Sequence, residues 1–199
     1  MSTNDTYEAG DIKASLEKYE WDDIWQEQTH IKDKFRIFYI GDSISRGIRK
    51  RITAISDGKI LCSGYATSKA VDNPDFKDMI RLALNVTKCD AVLFNNGLHG
   101  WHISEKEYAE HYDEIVRYIL GIVDVPLCVV TTTATKDSHT DRAKARNAEA
   151  LEIARAHGLR VIDLYSESER ISDNIKDDGV HFDDEGYDIL AKFIIKEFE

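Results

Sequence analysis

The sequence predicts an α/β fold: a five-stranded parallel sheet with helices on both faces, a three-layer α/β/α sandwich. Two observations carry this. Five short apolar runs recur along the chain, and stretches of helical period separate them. A third bounds it: 199 residues with only two prolines, Pro74 and Pro126, and no internal repeat point to one compact unit without a linker.

The runs are F-R-I-F-Y-I (35–40), K-I-L-C-S-G (59–64), A-V-L-F-N (91–95), L-C-V-V-T-T-T (127–133) and R-V-I-D-L (160–164). Each is short and rich in β-branched or aromatic residues, as a strand buried on both faces should be. The helical stretches are Ser45 to Ala54, Pro74 to Thr87, Ser104 to Val123, Asp141 to His157 and Asp184 to Phe198. Asp11 to Lys34 also reads as helical and carries Trp21, Ile24 and Trp25. The expected organisation is a packed helical extension over residues 1–34 and one domain over 35–199.

Composition narrows the function. Lys plus Arg total 26 against 37 Asp plus Glu, a formal net charge of -11. Such a surface repels phosphate backbones and anionic membranes, so neither nucleic acid nor membrane is an expected partner. Cys62, Cys89 and Cys128 make an odd count with no C-x-x-C spacing, which reads as reduced thiols in a cytoplasmic protein. The polar, acidic start lacks a secretion signal, and no apolar stretch is long enough to span a bilayer. A homo-oligomer built on the Trp21 and Trp25 segment stays open.

In open parallel sheets, ligands bind beyond the carboxyl ends of the strands. There the sequence places Gly41, Asp42 and Ser43 after the first run and Gly64, Tyr65 and Ala66 after the second. Asn95 to His99 follow the third, and Thr132 to Thr135 end the fourth. A serine becomes a nucleophile when a base takes its proton, and a histidine oriented by a carboxylate is the usual base. In D-D-G-V-H-F-D-D-E-G-Y (177–187), Asp178 and His181 stand three apart before the last helix, with Asp183 placed to cap it. A serine in this position taken alone is more often a helix cap than a nucleophile. Its placement opposite Asp178 and His181 favours the nucleophile. Asp42 is expected to hold the turn beneath Ser43 and to border the substrate.

G-D-S after the first strand and D-G-V-H before the last helix resemble the first and fifth sequence blocks of the SGNH (GDSL-type) esterase family, over the chain from about residue 35 onward. The resemblance implies a flavodoxin-like α/β/α sandwich, Ser43 as nucleophile, His181 as general base and then acid, and Asp178 as its orienting partner. G-D-S-I-S does not fit the G-x-S-x-G elbow of α/β-hydrolases. The resemblance also implies an oxyanion hole made of the Ser43 N–H, a second-block glycine matching Gly64, and a third-block asparagine. Here the third block departs: G-x-N-D is replaced by F-N-N-G-L-H-G-W-H. Aligned on glycine, His99 takes the asparagine's place; Asn95 or Asn96 could supply the donor instead.

Other residues keep two readings. Trp101 is a packed aromatic or a sugar-stacking platform beside the substrate. Arg46, Arg49, Lys50 and Arg51 form a solvated helical face, or Arg46 meets an anionic substrate group. His99 and His102 could join Asp178 or His181 around a metal, but H-x-x-H without a helix signature or glutamate motif is weak. No metal and no other cofactor is expected. The expected function is removal of short acyl groups, acetyl above all, from a small soluble ester such as an acylated carbohydrate. The alternative is an inactive scaffold of the same fold that binds a ligand.

Overall fold

The computed structural model describes residues 16–17, 19–86 and 88–199. Its strands are β1 (Asp22–Trp25), β2 (Phe35–Gly41), β3 (Ile60–Thr67), β4 (Ala91–Phe94), β5 (Leu127–Val130) and β6 (Arg160–Ile162). Its helices are α1 (Ser43–Ile55), α2 (Phe76–Leu84), α3 (Glu105–Ile122), α4 (Thr140–Ala156), α5 (Leu164–Arg170) and α6 (Asp184–Lys196). The strands form one sheet in the order β1-β3-β2-β4-β5-β6, with β1 antiparallel and the other neighbours parallel. The five expected strands and the sandwich are therefore present, and the sheet has a sixth strand.

Alternation along each strand builds two cores. Ile37 and Tyr39 of β2 face α1 and α6, while Phe38 and Ile40 face α2 and α3. Both sets are buried, so the runs are apolar throughout rather than alternating. The chain leaves β2 for β3 on one side and then returns to β4, β5 and β6 on the other. The reversal opens a crevice at the carboxyl ends of β2 and β4, the switch point at which such sheets bind ligands.

The helical expectation for Asp11 to Lys34 is corrected over its described residues. Residues 22–25 are β1, added antiparallel to the edge of β3; residues 11–15 and 18 lie outside the described ones. Trp21, Ile24 and Trp25 satisfy helical spacing, but four residues of a strand satisfy it equally, and periodicity cannot separate the two. Tertiary partners decide for the strand. Asp22 binds Lys69 at 2.7 Å, Tyr65 and Thr67, and Asp23 binds the buried Arg49 and also Arg46. Burial alone raises the Asp22 carboxyl, yet the Lys69, Tyr65 and Thr67 donors outweigh it and hold it below the ordinary value. The short α5, right after β6, was not expected.

Among the described residues no helix is long and apolar enough to cross a membrane. The cysteines are free, with Cys62 and Cys128 buried and Cys89 half-buried. Burial pushes the Cys62 thiol up to about 12 and Cys89 to about 11, so neither is a ready thiolate.

Gly64 lies inside β3, opposite Tyr39 of β2 and Trp25 of β1. The residue opposite Gly41, at the end of β2, is Ala66, and β3 itself runs on to Thr67. Two residues of strand put Gly64 about 7 Å short of Ala66. A Cβ there would lie 2.5 Å from the Tyr39 carbonyl and 3.3 Å from Arg49 Cδ. The register therefore sets Gly64 back from the strand end, and the absence of a side chain there makes room for Arg49, which reaches the Gly64 carbonyl and Asp23. Gly64→Ala is expected to cost about 1–3 kcal/mol, measured as a lowered urea midpoint at unchanged m-value. Undiminished stability would show that the strands can part without penalty.

Candidate functional site

At the end of β2 each residue has one task. Gly41 passes so close to α1 that a Cβ would lie 2.7 Å from Ser45 Cβ and Oγ, so only glycine fits. Asp42 is fully buried and caps α1, its Oδ1 accepting the Ile44 N–H at 2.9 Å. The cap is therefore Asp42, which leaves the Ser43 hydroxyl to other partners. Asp42 is sealed beneath the turn, so its expected place beside the substrate is corrected to a structural one. Ser43 opens the helix, where N–H groups have no partner within the helix and the dipole favours negative charge.

The second half is a tight hairpin. Ile175 bridges Phe182, the Lys176 N–H binds the His181 carbonyl at 2.8 Å, and the Gly179 N–H returns to the Lys176 carbonyl. Gly179 takes φ +77, a left-handed conformation that suits glycine. Lys136 braces the turn by donating its N–H to the Gly179 carbonyl at 2.7 Å. Asp183 then caps α6 as expected, accepting the Gly186 N–H at 2.8 Å. Tyr187, one residue further, seats its ring on Gly47 of α1, where a Cβ would lie 2.4 Å from Cε1. This contact docks the hairpin's helix beside the helix that begins with Ser43.

Residues 138 positions apart meet as a result. The Ser43 hydroxyl lies 2.9 Å from His181 Nε2, and His181 Nδ1 lies 2.9 Å from Asp178 Oδ2. Asp178 Oδ1 accepts the N–H groups of Val180 and His181, each at 2.9 Å. Burial alone raises the Asp178 carboxyl. The two N–H donors and the imidazole outweigh it and hold the group below the ordinary carboxylate value. An ionised Asp178 fixes the proton of neutral His181 on Nδ1, so Nε2 presents its lone pair to Ser43. The arrangement can take a proton from Ser43 and return it to a leaving group.

The remaining expected residues divide. Asn95 ties β4 to β5, its amide donating to the Val130 carbonyl at 3.0 Å. That commits one of its two amide N–H groups to the sheet. Asn96 is buried at the switch point and donates from Nδ2 to the Lys69 carbonyl at 2.8 Å. His99 Nδ1 meets Glu17 at 2.6 Å, and His102 Nε2 meets Asp72 at 2.7 Å. The two histidines thus turn to separate carboxylates rather than gathering with Asp178 and His181. Trp101 stacks on His139 with centroids 4.3 Å apart, and the Arg146 guanidinium lies 4.2 Å from its ring. These contacts favour packing over a sugar platform. Arg49 is buried and Arg51 binds Asp184 and Asp188, so only part of the basic cluster is a solvated face. Arg46 is half exposed and paired with Asp23.

Sequence reasoning missed four residues here: Glu17, Asp72, Arg142 and Arg146. The arginines left one signal, a spacing of four that puts both on the same face of α4. Arg142 donates to the carbonyls of Trp101 and Ile103, and Arg146 to those of Gly97, His99 and Gly100. Glu17 and Asp72 left none, because each lies far in sequence from the histidine it meets.

No protein-family model matches the sequence, and no curated protein does. Solved structures do resemble the chain. A member of the lipolytic protein G-D-S-L family from Veillonella parvula DSM 2008 superposes with a TM-score of 0.68 at 16% identity, over 82% of this chain and 98% of its own. The lipase/acylhydrolase from Enterococcus faecalis gives 0.64 at 21% identity, over 82% and 95%. Axe2, an acetylxylan esterase from Geobacillus stearothermophilus, gives 0.63 at 16% identity, over 84% and 96%. With G-D-S at the end of β2 and D-G-V-H before α6, the chain has the fold of the SGNH (GDSL-type) hydrolases.

Proposed function

We propose that the protein is a serine ester hydrolase acting through an acyl-Ser43 intermediate. One observation carries the reading: the unbroken chain of 2.9 Å hydrogen bonds from Ser43 through His181 to Asp178. His181 Nε2 takes the hydroxyl proton as Ser43 Oγ attacks the ester carbonyl. The carbonyl electrons move onto oxygen, and the Ser43 N–H at the start of α1 stabilises that charge. The tetrahedral intermediate then collapses, its alkoxide leaves, and the imidazolium returns the proton to it as alcohol. Water repeats the sequence on the acyl-enzyme, with His181 again as base, and the carboxylic acid departs.

The substrate is a small soluble ester, with acetyl as the acyl group and an acylated carbohydrate as its class. Ser68, Asn96 and Thr131 to Thr133, which follow the carboxyl ends of β3, β4 and β5, are polar and buried, a surrounding that suits a hydroxyl-rich alcohol better than a long acyl chain. The acetylxylan esterase activity of one structural neighbour points the same way. The protein works as a soluble cytoplasmic enzyme without a cofactor.

Fluorophosphonate labelling, read by intact mass and peptide mapping, tests the nucleophile. A single adduct on Ser43 is expected, lost in Ser43→Ala and in His181→Ala. No adduct on folded wild-type protein would turn the reading to a scaffold that binds without turnover. On acetyl esters, Ser43→Ala should lower kcat by roughly 10³-fold or more and Asp178→Asn by roughly 10²–10⁴-fold. An octanoyl ester hydrolysed faster than an acetyl ester would refute the substrate class.

The acid limb of kcat/KM tests the division of labour. With its pKa depressed, Asp178 stays ionised down to below the ordinary carboxylate range. Its support of His181 is therefore present above that range and is lost only as pH falls through the depressed value. The acid limb should therefore show no step within the ordinary carboxylate range. A step within that range would mean that Asp178 protonates at an ordinary carboxylate value.

A further inference from the structure

The loop after β4 is shaped by a buried cation. Arg146 is fully buried and lies 4.2 Å from the Trp101 ring and 4.6 Å from the Tyr108 ring. Its guanidinium donates to the carbonyls of Gly97 at 3.2 Å, His99 at 2.5 Å and Gly100 at 2.6 Å. Gly100 takes φ +71, and a Cβ on it would lie 2.5 Å from Ala70 Cβ in the loop after β3. Gly97 is pressed as closely on Thr132, where a Cβ would lie 2.6 Å away. The loop's path is therefore fixed on three sides.

The carbonyl bonds have a consequence for the N–H groups. In a trans peptide the C=O of one residue and the N–H of the next point in opposite directions, and the described chain has no cis bonds. Turning the Gly97 and His99 carbonyls onto Arg146 turns the N–H groups of Leu98 and Gly100 away from it. Arg146 projects from α4, whose Ala150 and Ala154 pack in the α2–α4 layer. Ser43 begins α1 and His181 precedes α6, both in the opposite layer.

Resting on the serine hydrolase reading above, we propose that Leu98 and Gly100 backbone N–H groups replace the missing third-block asparagine as oxyanion donors, with Arg146 as the positioning residue that aims them. The proposal accounts for the departure from G-x-N-D: a loop held by its carbonyls needs no side-chain donor. Asn96 already commits one of its two amide N–H groups to the Lys69 carbonyl. No bond to substrate forms at Arg146; its effect passes through the loop.

The test uses wild-type protein labelled with ¹⁵N and phosphonylated on Ser43 by a fluorophosphonate, the adduct verified by intact mass. The phosphonyl oxygen takes the place of the tetrahedral oxygen. Leu98 and Gly100 amide protons should move downfield with that of Ser43, ahead of the rest of the loop. An adduct that leaves both in place, or moves the Asn96 side-chain amide or the His99 ring instead, overturns the proposal. In parallel, Arg146→Lys keeps the charge but loses the fork that reaches three carbonyls. If it folds, kcat and the phosphonylation rate should both fall roughly tenfold or more with KM within about twofold, since the donors act on the transition state. Folded Arg146→Lys protein with wild-type kcat overturns the proposal; if the variant does not fold, the wild-type spectra decide. No adduct on wild-type Ser43 refutes the hydrolase reading itself and this inference with it, an outcome distinct from an adduct without amide shifts.

Discussion

The site depends on one steric contact, the ring of Tyr187 on Gly47. It sets how closely α6 lies against α1, and so how closely the hairpin carrying His181 approaches the start of α1. Any side chain at position 47 would push the ring away and open the 2.9 Å contact between Ser43 and His181. A reacting pair must be held within a fraction of an ångström, and close-packed cores supply that where flexible loops cannot. Ser43 accordingly sits at the start of α1 and His181 in the hairpin just before α6, the two helices capped by Asp42 and Asp183.

A second theme is arginine used against backbone. In a chain of net charge -11, Arg36, Arg49 and Arg146 are nonetheless buried. Arg36 donates to the carbonyls of Glu27, Gln28 and Ile31 and so fixes the segment before β2. Arg49 reaches the Gly64 carbonyl and Asp23, and so fixes β1 on β3. Arg146 fixes the loop after β4. The planar guanidinium offers five donors, and several carbonyls together can replace the water that burial removes. These bonds stabilise irregular segments that have no ladder or helix of their own.

The parallel strands and most helices were legible because each is a local pattern. Apolar runs of strand length alternating with helical periods leave few architectures, and Ser43, Asp178 and His181 stood at sequence positions that such a sheet brings to one edge. In the N-terminal segment Trp21, Ile24 and Trp25 fit either period; the pairing of Asp22 and Asp23 with Lys69, Arg46 and Arg49 makes residues 22–25 a strand. The residues around Gly64 resemble a family block that lies at a strand end, whereas register sets Gly64 two residues before the position opposite Gly41.

By itself the sequence determined the layer order, the strand that ends in G-D-S and the hairpin that ends in D-G-V-H, because periodicity and turn chemistry are written in adjacent residues. Only the tertiary structure decided which groups surround the hydroxyl. Asn95 was drawn to β5, His99 to Glu17, His102 to Asp72, and the loop backbone to Arg146. Those choices rest on which partner lies within about 3 Å once the elements have packed, a distance that sequence separation does not encode.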